Sequence, residues 1–195
     1  KDCEFAYLCV QTPQGDDGSA DLTYLQAAAA EIGPVLPPRA IVRAGVGRTF
    51  QIAQTFVSMT VAENIAVALQ SLTGKSFDMT LRAGAYLRPQ ALELLETVGM
   101  TDKADRPVRT LAYGDVKRVE LAIALAGGPK LLLMDEPTAG MAAPERSALM
   151  TLTRRLARER QIGVLFTEHD MDAVFGYADR ILVLVRGEII ARGDP

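Results

Sequence analysis

A chain of 195 residues is long enough for one domain with a proper core, or a core plus a small subdomain, and too short for two independent domains of ordinary size. With 49% hydrophobic and 23% charged residues, and no apolar run near the roughly 18 to 20 residues of a membrane helix, it is expected to be soluble and globular. A net charge of −3 argues against binding nucleic acid by bulk electrostatics, so no nucleic-acid partner is expected. Cys3, Cys9 and the single His169 are too few for a Cys/His zinc site. No basic leader with a hydrophobic region behind it is present and the chain opens at "KDCEFAYLCV" without methionine, so cytoplasmic residence is the default and both ends are expected to be cut.

The first third carries the weakest patterns. "QTPQGDDGSAD" is polar and turn-rich, and "LTYLQAAAAEIG" has helix-forming composition with a weak apolar face. Further on, "TVAENIAVALQ" places Glu63 three residues after Thr60, the capping-box pattern, ahead of apolar Val61, Ile65, Val67 and Leu69. "PQALELLETVGM" is a second amphipathic helix with Gly99 as its stop. Residues 55–109 are therefore expected to form a helical subdomain inserted into an α/β core.

The second half alternates. "KLLLM", Lys130 to Met134, is a short unalternating apolar run, as in a parallel strand buried on both faces. It ends in Asp135 and Glu136, two adjacent carboxylates that would repel each other without a cation or a water to manage. "PERSALMTLTRRLARERQ" repeats Leu149, Leu152 and Leu156 at helical spacing, with Pro144 in the first turn. "IGVLFTEHD" is a second apolar run, Ile162 to Phe166, so the unit reads strand, crossover helix, parallel strand. Ligands of such sheets sit beyond the carboxyl ends of the strands, which puts Asp135, Glu136, Glu168 and His169 on one rim. A short helix over Met171 to Tyr177 and a hairpin at Arg186-Gly187 complete the chain.

"RTFQ" ending in Gln51, "LAYGDVKRVELAIALA" from Leu111 to Ala126, "LLLMDEP", "TAGM" and "TEHD" together resemble the Q-loop, signature motif, Walker B strand, D-loop and switch-histidine loop of ATP-binding cassette (ABC) ATPases, in the family's order. The resemblance runs from about Leu36 to Pro195 and is nearest to the ATPase subunits of branched-chain amino-acid importers. It implies an α/β fold, a P-loop NTPase-like core with a mostly parallel sheet over residues 36–54 and 110–195 and the helical subdomain inserted between them. It implies ATP and Mg²⁺ as ligands, with Asp135 and Gln51 at the metal, Glu136 as general base, and His169 at the γ-phosphate. Leu111, Ala112, Tyr113, Gly114 and Asp115, with Gly140 and Met141, would face ATP held by a second ABC ATPase subunit, in a homo- or heterodimer. Gly114, at the start of a helix beginning near Asp115, would let backbone N–H groups approach phosphate, and Ala112 stands where many relatives have a serine hydroxyl. Transmembrane permease subunits would dock at the Q-loop, making the chain peripheral on the inner face of the membrane.

The chain departs from the pattern in one respect: it contains no G-x-x-x-x-G-K-[ST] stretch. The position where the family carries it falls in "KDCEFAYLCV", and "PQGDDGS" has glycines but no lysine, so residues 1–35 are set apart as atypical. Two other readings stay open at this point. One is a catalytically inactive interaction module with the ABC fold, and the other a soluble ABC ATPase acting on DNA or ribosomes, which the acidic balance disfavours.

Overall fold

The computed structural model describes residues 45–72, 86–186 and 188–195 in full and residues 5–11 and 73 by their backbone. The expectations placed on residues 12–44, the turn-rich stretch and the alanine-rich helix, lie outside the described residues, as does Gly187 of the hairpin.

Among the described residues, six strands form one sheet in the order β2-β3-β4-β1-β5-β6. They are β1 (Phe5–Gln11), β2 (Val46–Thr49), β3 (Leu131–Asp135), β4 (Gly163–Thr167), β5 (Ile181–Val185) and β6 (Glu188–Gly193). All neighbours run parallel except β5 and β6, which pair antiparallel as the hairpin reading predicts, with Arg186 in the left-handed region at φ 50°. β1 is not among the strands the patterning predicts. It lies near the centre of the sheet, with Tyr7 level with Phe166 of β4 and with Ile181 of β5. Its carboxyl end therefore points to the same rim as Asp135 and Thr167, which stand level in the β3–β4 ladder.

β3 departs from the expected burial on both faces. Leu132 and Met134 are buried while Leu131 is 37% exposed, the alternation of a strand with one face packed more deeply than the other. The crossover from β3 to β4 is helix α4, described below, so the strand-helix-strand unit holds, with its second strand shifted by one residue to Gly163–Thr167.

Helices α1 (Val61–Thr73) and α2 (Arg88–Thr97) pack on each other and on α3 (Tyr113–Leu125), which in turn packs on β2 and on α4 (Ala143–Arg160). α5 (Met171–Tyr177) follows β4 and packs on α4. Val61, Ile65, Leu95, Met100, Leu121, Leu125, Leu149, Met150 and Phe166 are fully buried in one continuous core joining helices and sheet.

Local chemistry sets the helix ends. The Thr60 amide and hydroxyl both donate to Glu63 Oε2, at 2.7 and 2.9 Å, and the Glu63 amide donates back to Thr60 Oγ1 at 3.2 Å. The Thr60 amide holds the Glu63 carboxyl below its usual range, so this contribution is present above the ordinary carboxylate pKa and fades as acid protonates the lowered group. α2 stops at Gly99, φ +69°, where Gly99 N–H donates to Glu96 O and Met100 N–H to Leu95 O, the paired bonds of a Schellman ending.

β2 approaches α3 closely enough to need a glycine. A Cβ on Gly47 would stand 2.7 Å from the Ala124 carbonyl oxygen and 3.2 Å from the Pro129 ring. Neither backbone can yield without opening the β2–α3 contact, so Gly47→Ala should destabilise the fold by about 2 to 3 kcal/mol, in the overpacking range. Urea unfolding at constant m-value checks this, and an unchanged midpoint would mean that β2 shifts freely.

Candidate functional site

Where β3 and β4 end, their side chains meet. Thr167 Oγ1 donates to Asp135 Oδ1 at 2.7 Å, and the Glu136 amide reaches both Thr167 O and Thr167 Oγ1 at 3.1 Å. Glu136 is thereby anchored to β4 just as its backbone turns into the left-handed region, φ 41°, which lifts its carboxylate over the rim. Two further groups converge on that carboxylate. Gln51 Nε2 donates to Glu136 Oε2 at 2.9 Å, from a residue just past the end of β2, and His169 Nδ1 lies 3.8 Å from the same oxygen. Gln51, Asp135, Glu136 and His169, assigned from sequence to one chemistry, are thus together in space. The cluster is open: His169 is 74% exposed and Glu136 33%, so a substrate has access to both.

The loops carrying these groups are held from beneath. Glu168, buried at 3% exposure, accepts from the amide and hydroxyl of Thr138, tying the turn after Pro137 to the residue before His169. Asp170 caps α5 by accepting from Ala173 N–H at 3.0 Å and pairs with Arg146 of α4. His169 therefore sits between two fixed neighbours.

The remaining sequence-assigned residues form a second cluster away from this carboxylate. α3 begins at Tyr113, two residues earlier than expected, so Gly114 lies within its first turn. No side chain caps the helix at Ala112. Met141 and Glu145 lie against Gly114, and Gly140 lies near the ring of Tyr113. Ala112, Gly114, Asp115, Met141 and Glu145 line a shallow recess of about 310 Å³. Leu111 is partly buried against the core and serves as an anchor. Asp115 turns its carboxylate to Lys103, 2.6 Å away, which leaves the helix start less acidic than the sequence suggests. A Cβ on Gly114 would meet only ordinary contacts, at 3.5 Å or more, so nothing among the described residues demands glycine there.

Sequence reasoning missed the groups that hold these loops. Asn64 is buried, accepts from Phe56 N–H and donates to Phe56 O and Thr60 O, which fixes the loop after Gln51 and presents Ile52, Phe56 and Val57 outward at 75%, 56% and 59% exposure. Lys117 and Glu120 of α3 are buried as well and bind the backbone at Phe50 and Gln51. Among the described residues no three His, Cys, Asp or Glu side chains cluster as a complete metal cage, and no helix is long and apolar enough to cross a membrane.

A mostly parallel sheet with an acidic strand end, a glutamine and a histidine on one rim, and helices inserted between the β2 and β3 segments define a P-loop NTPase-like α/β fold of the ABC ATPase class. The ABC transporter family model matches residues 13–139, and the chain belongs to that family. The match begins inside the segment set apart as atypical. The chain is similar to the high-affinity branched-chain amino acid transport ATP-binding protein LivG of Salmonella typhimurium, with 39% identity over 167 residues that cover 82% of this chain and 66% of that one. It thus spans just under two thirds of that relative's length. Among solved structures, MJ1267, an ATP-binding cassette of an ABC transporter, superposes with a TM-score of 0.75 at 25% identity, over 98% of this chain and 80% of that one. The dimeric structure of MJ0796, a bacterial ABC transporter cassette, shares the fold with a TM-score of 0.74 at 23% identity, over 100% of this chain and 86% of that one.

Proposed function

We propose that this chain acts as an ATP-binding subunit of an ABC importer for amino acids, branched-chain amino acids by its similarity to LivG, and that it works as one half of an ATPase dimer. The observation that carries the reading is the convergence of Gln51 and His169 on the Glu136 carboxylate at the carboxyl rim of β3 and β4.

In this reading Glu136 takes a proton from the attacking water, Gln51 holds that water through its amide, and His169 donates a hydrogen bond to the γ-phosphate. The donor set at the rim suits Mg²⁺, which takes few protein ligands and leaves the rest to phosphate and water. Asp135, whose Oδ1 is occupied by Thr167, and Gln51, whose amide oxygen is left over from its bond to Glu136, would hold it. When bound, the ion neutralises charge on the phosphates. The recess at Ala112, Gly114 and Met141 does not share this carboxylate, which supports a second subunit whose nucleotide meets the α3 helix start through unhindered N–H groups. The apolar rim of Ile52, Phe56 and Val57 beside Gln51 fits the membrane permease, which would place the protein on the inner face of the membrane.

Assembly tests the reading. Phe56→Glu or Met59→Glu should reduce co-purification with the cognate permease at least tenfold while the soluble domain keeps its melting temperature. Undiminished co-purification would place the docking face elsewhere and favour the interaction module without this partner.

A further inference from the structure

α3 carries a buried ion pair that the proposed chemistry does not use. The Lys117 and Glu120 side chains are 2% and 5% exposed, with Nζ 3.2 Å from Glu120 Oε2. Such pairs are poor devices for stability alone, because apolar residues of similar size usually do as well. Their remaining bonds explain them better. Lys117 Nζ donates to Phe50 O at 2.9 Å and Gln51 O at 2.8 Å, so its three protons have three acceptors. Glu120 Oε1 accepts from Phe50 N–H at 2.7 Å. β2 ends at Thr49, so Phe50 and Gln51 are where the backbone leaves the sheet ladder and must find other partners. α3 supplies them.

The Gln51 side chain is exposed, so packing does not choose its rotamer. Where its amide lands depends on where its own backbone is held, and the 2.9 Å bond to Glu136 is made from that held backbone. Lys117 also lies 5.7 Å over the ring of Tyr113, in the first turn of the same helix. We propose that Lys117 and Glu120 are positioning residues that clamp the Phe50–Gln51 backbone to α3 and so set the Gln51 amide on Glu136. The proposal rests on the reading of Gln51 and Glu136 as parts of the hydrolytic site, and it assigns the clamp to the same helix whose start would face the second nucleotide.

The test needs no nucleotide. In the isotope-labelled chain, the Phe50 amide should exchange slowly although it belongs to no ladder, and Glu136→Gln should shift the Gln51 side-chain amide signals. In K117M/E120M, which removes both buried charges together, Phe50 exchange should accelerate at least tenfold and the Gln51 signals should no longer respond to Glu136→Gln. The melting temperature should stay within a few degrees of the parent, and the Leu121 amide should keep its protection. K117R, which keeps charge and donors, should retain part of the Gln51 response. A protected Phe50 amide or a surviving Gln51 response in K117M/E120M overturns the proposal. If that variant does not fold, the unaltered chain still decides: a fast-exchanging Phe50 amide or a Gln51 signal indifferent to Glu136→Gln also overturns it. Failure of the ATPase reading would leave these spectra unchanged and would show instead as absent turnover in a version given a phosphate loop.

Discussion

MgATP titrated into the 195-residue chain is expected to bind no tighter than about millimolar and to be hydrolysed at background rate, a loss of roughly three orders of magnitude from micromolar substrate affinity. The rim offers Asp135, Glu136, Gln51 and His169, of which two are carboxylates that repel phosphate unless a cation intervenes. A G-x-x-x-x-G-K-[ST] loop adds several backbone N–H donors and a lysine, and charge-assisted hydrogen bonds contribute about 1.5 to 3 kcal/mol each, so three absent bonds account for the difference. β1 makes the repair concrete: its carboxyl end points to the Asp135 rim, so a family-like N-terminal segment bearing that loop would enter where the phosphates belong. Both affinity and turnover should then recover, since the other groups are already together. Calorimetry on the unaltered chain is the decisive measurement, and a micromolar dissociation constant would mean that other residues of this chain build a phosphate site.

In that repaired version, Glu136→Gln should lower turnover by about 10²- to 10⁴-fold, the usual contribution of a general base, while ATP binding stays within a few-fold of the parent. The amide keeps the shape of the carboxylate and an oxygen that can still accept from Gln51 Nε2, so the cluster holds its geometry and only the proton acceptor is lost. Single-turnover hydrolysis beside calorimetric binding separates the two effects. Comparable hydrolysis by mutant and parent would remove Glu136 from the role and leave His169 as the candidate base.

Asp135, Glu136 and His169 were legible because each stands after an apolar run that ends a strand, whereas Gln51 was placed with them only by the resemblance of "RTFQ" to the family's Q-loop. The parallel order of the two strands was then enough to bring Asp135, Glu136 and His169 to one edge. The clamp beneath them was not legible for a physical reason. Lys117 and Glu120, three apart on a helix, look like any solvated surface pair, and the backbone partners they find at Phe50 and Gln51, some 70 residues earlier in the chain, leave no trace in their local pattern. Asn64 is hidden in the same way, since its value lies in the loop bonds it completes. β1 escaped because "FAYLCVQ" offers an apolar run without punctuation that separates strand from buried helix. The alternation in β3 follows from unequal packing on its two faces, which three consecutive leucines cannot reveal.

The left-handed backbone at Glu136 bears on how this chain would age. An L-residue with a long side chain pays about 1 to 2 kcal/mol to stand at φ 41°, a cost glycine would not bear. Under selection for folding alone, replacement of Glu136 by glycine relieves that strain at the cost of the bond to Gln51, and on the proposed reading selection for proton transfer opposes it. In a lineage freed from hydrolysis this position should therefore be among the first to drift toward glycine or asparagine, well before Asp135, whose backbone carries no such strain. That makes residue 136 a recorder of whether chemistry is still being selected, readable in descendants of this chain without an assay.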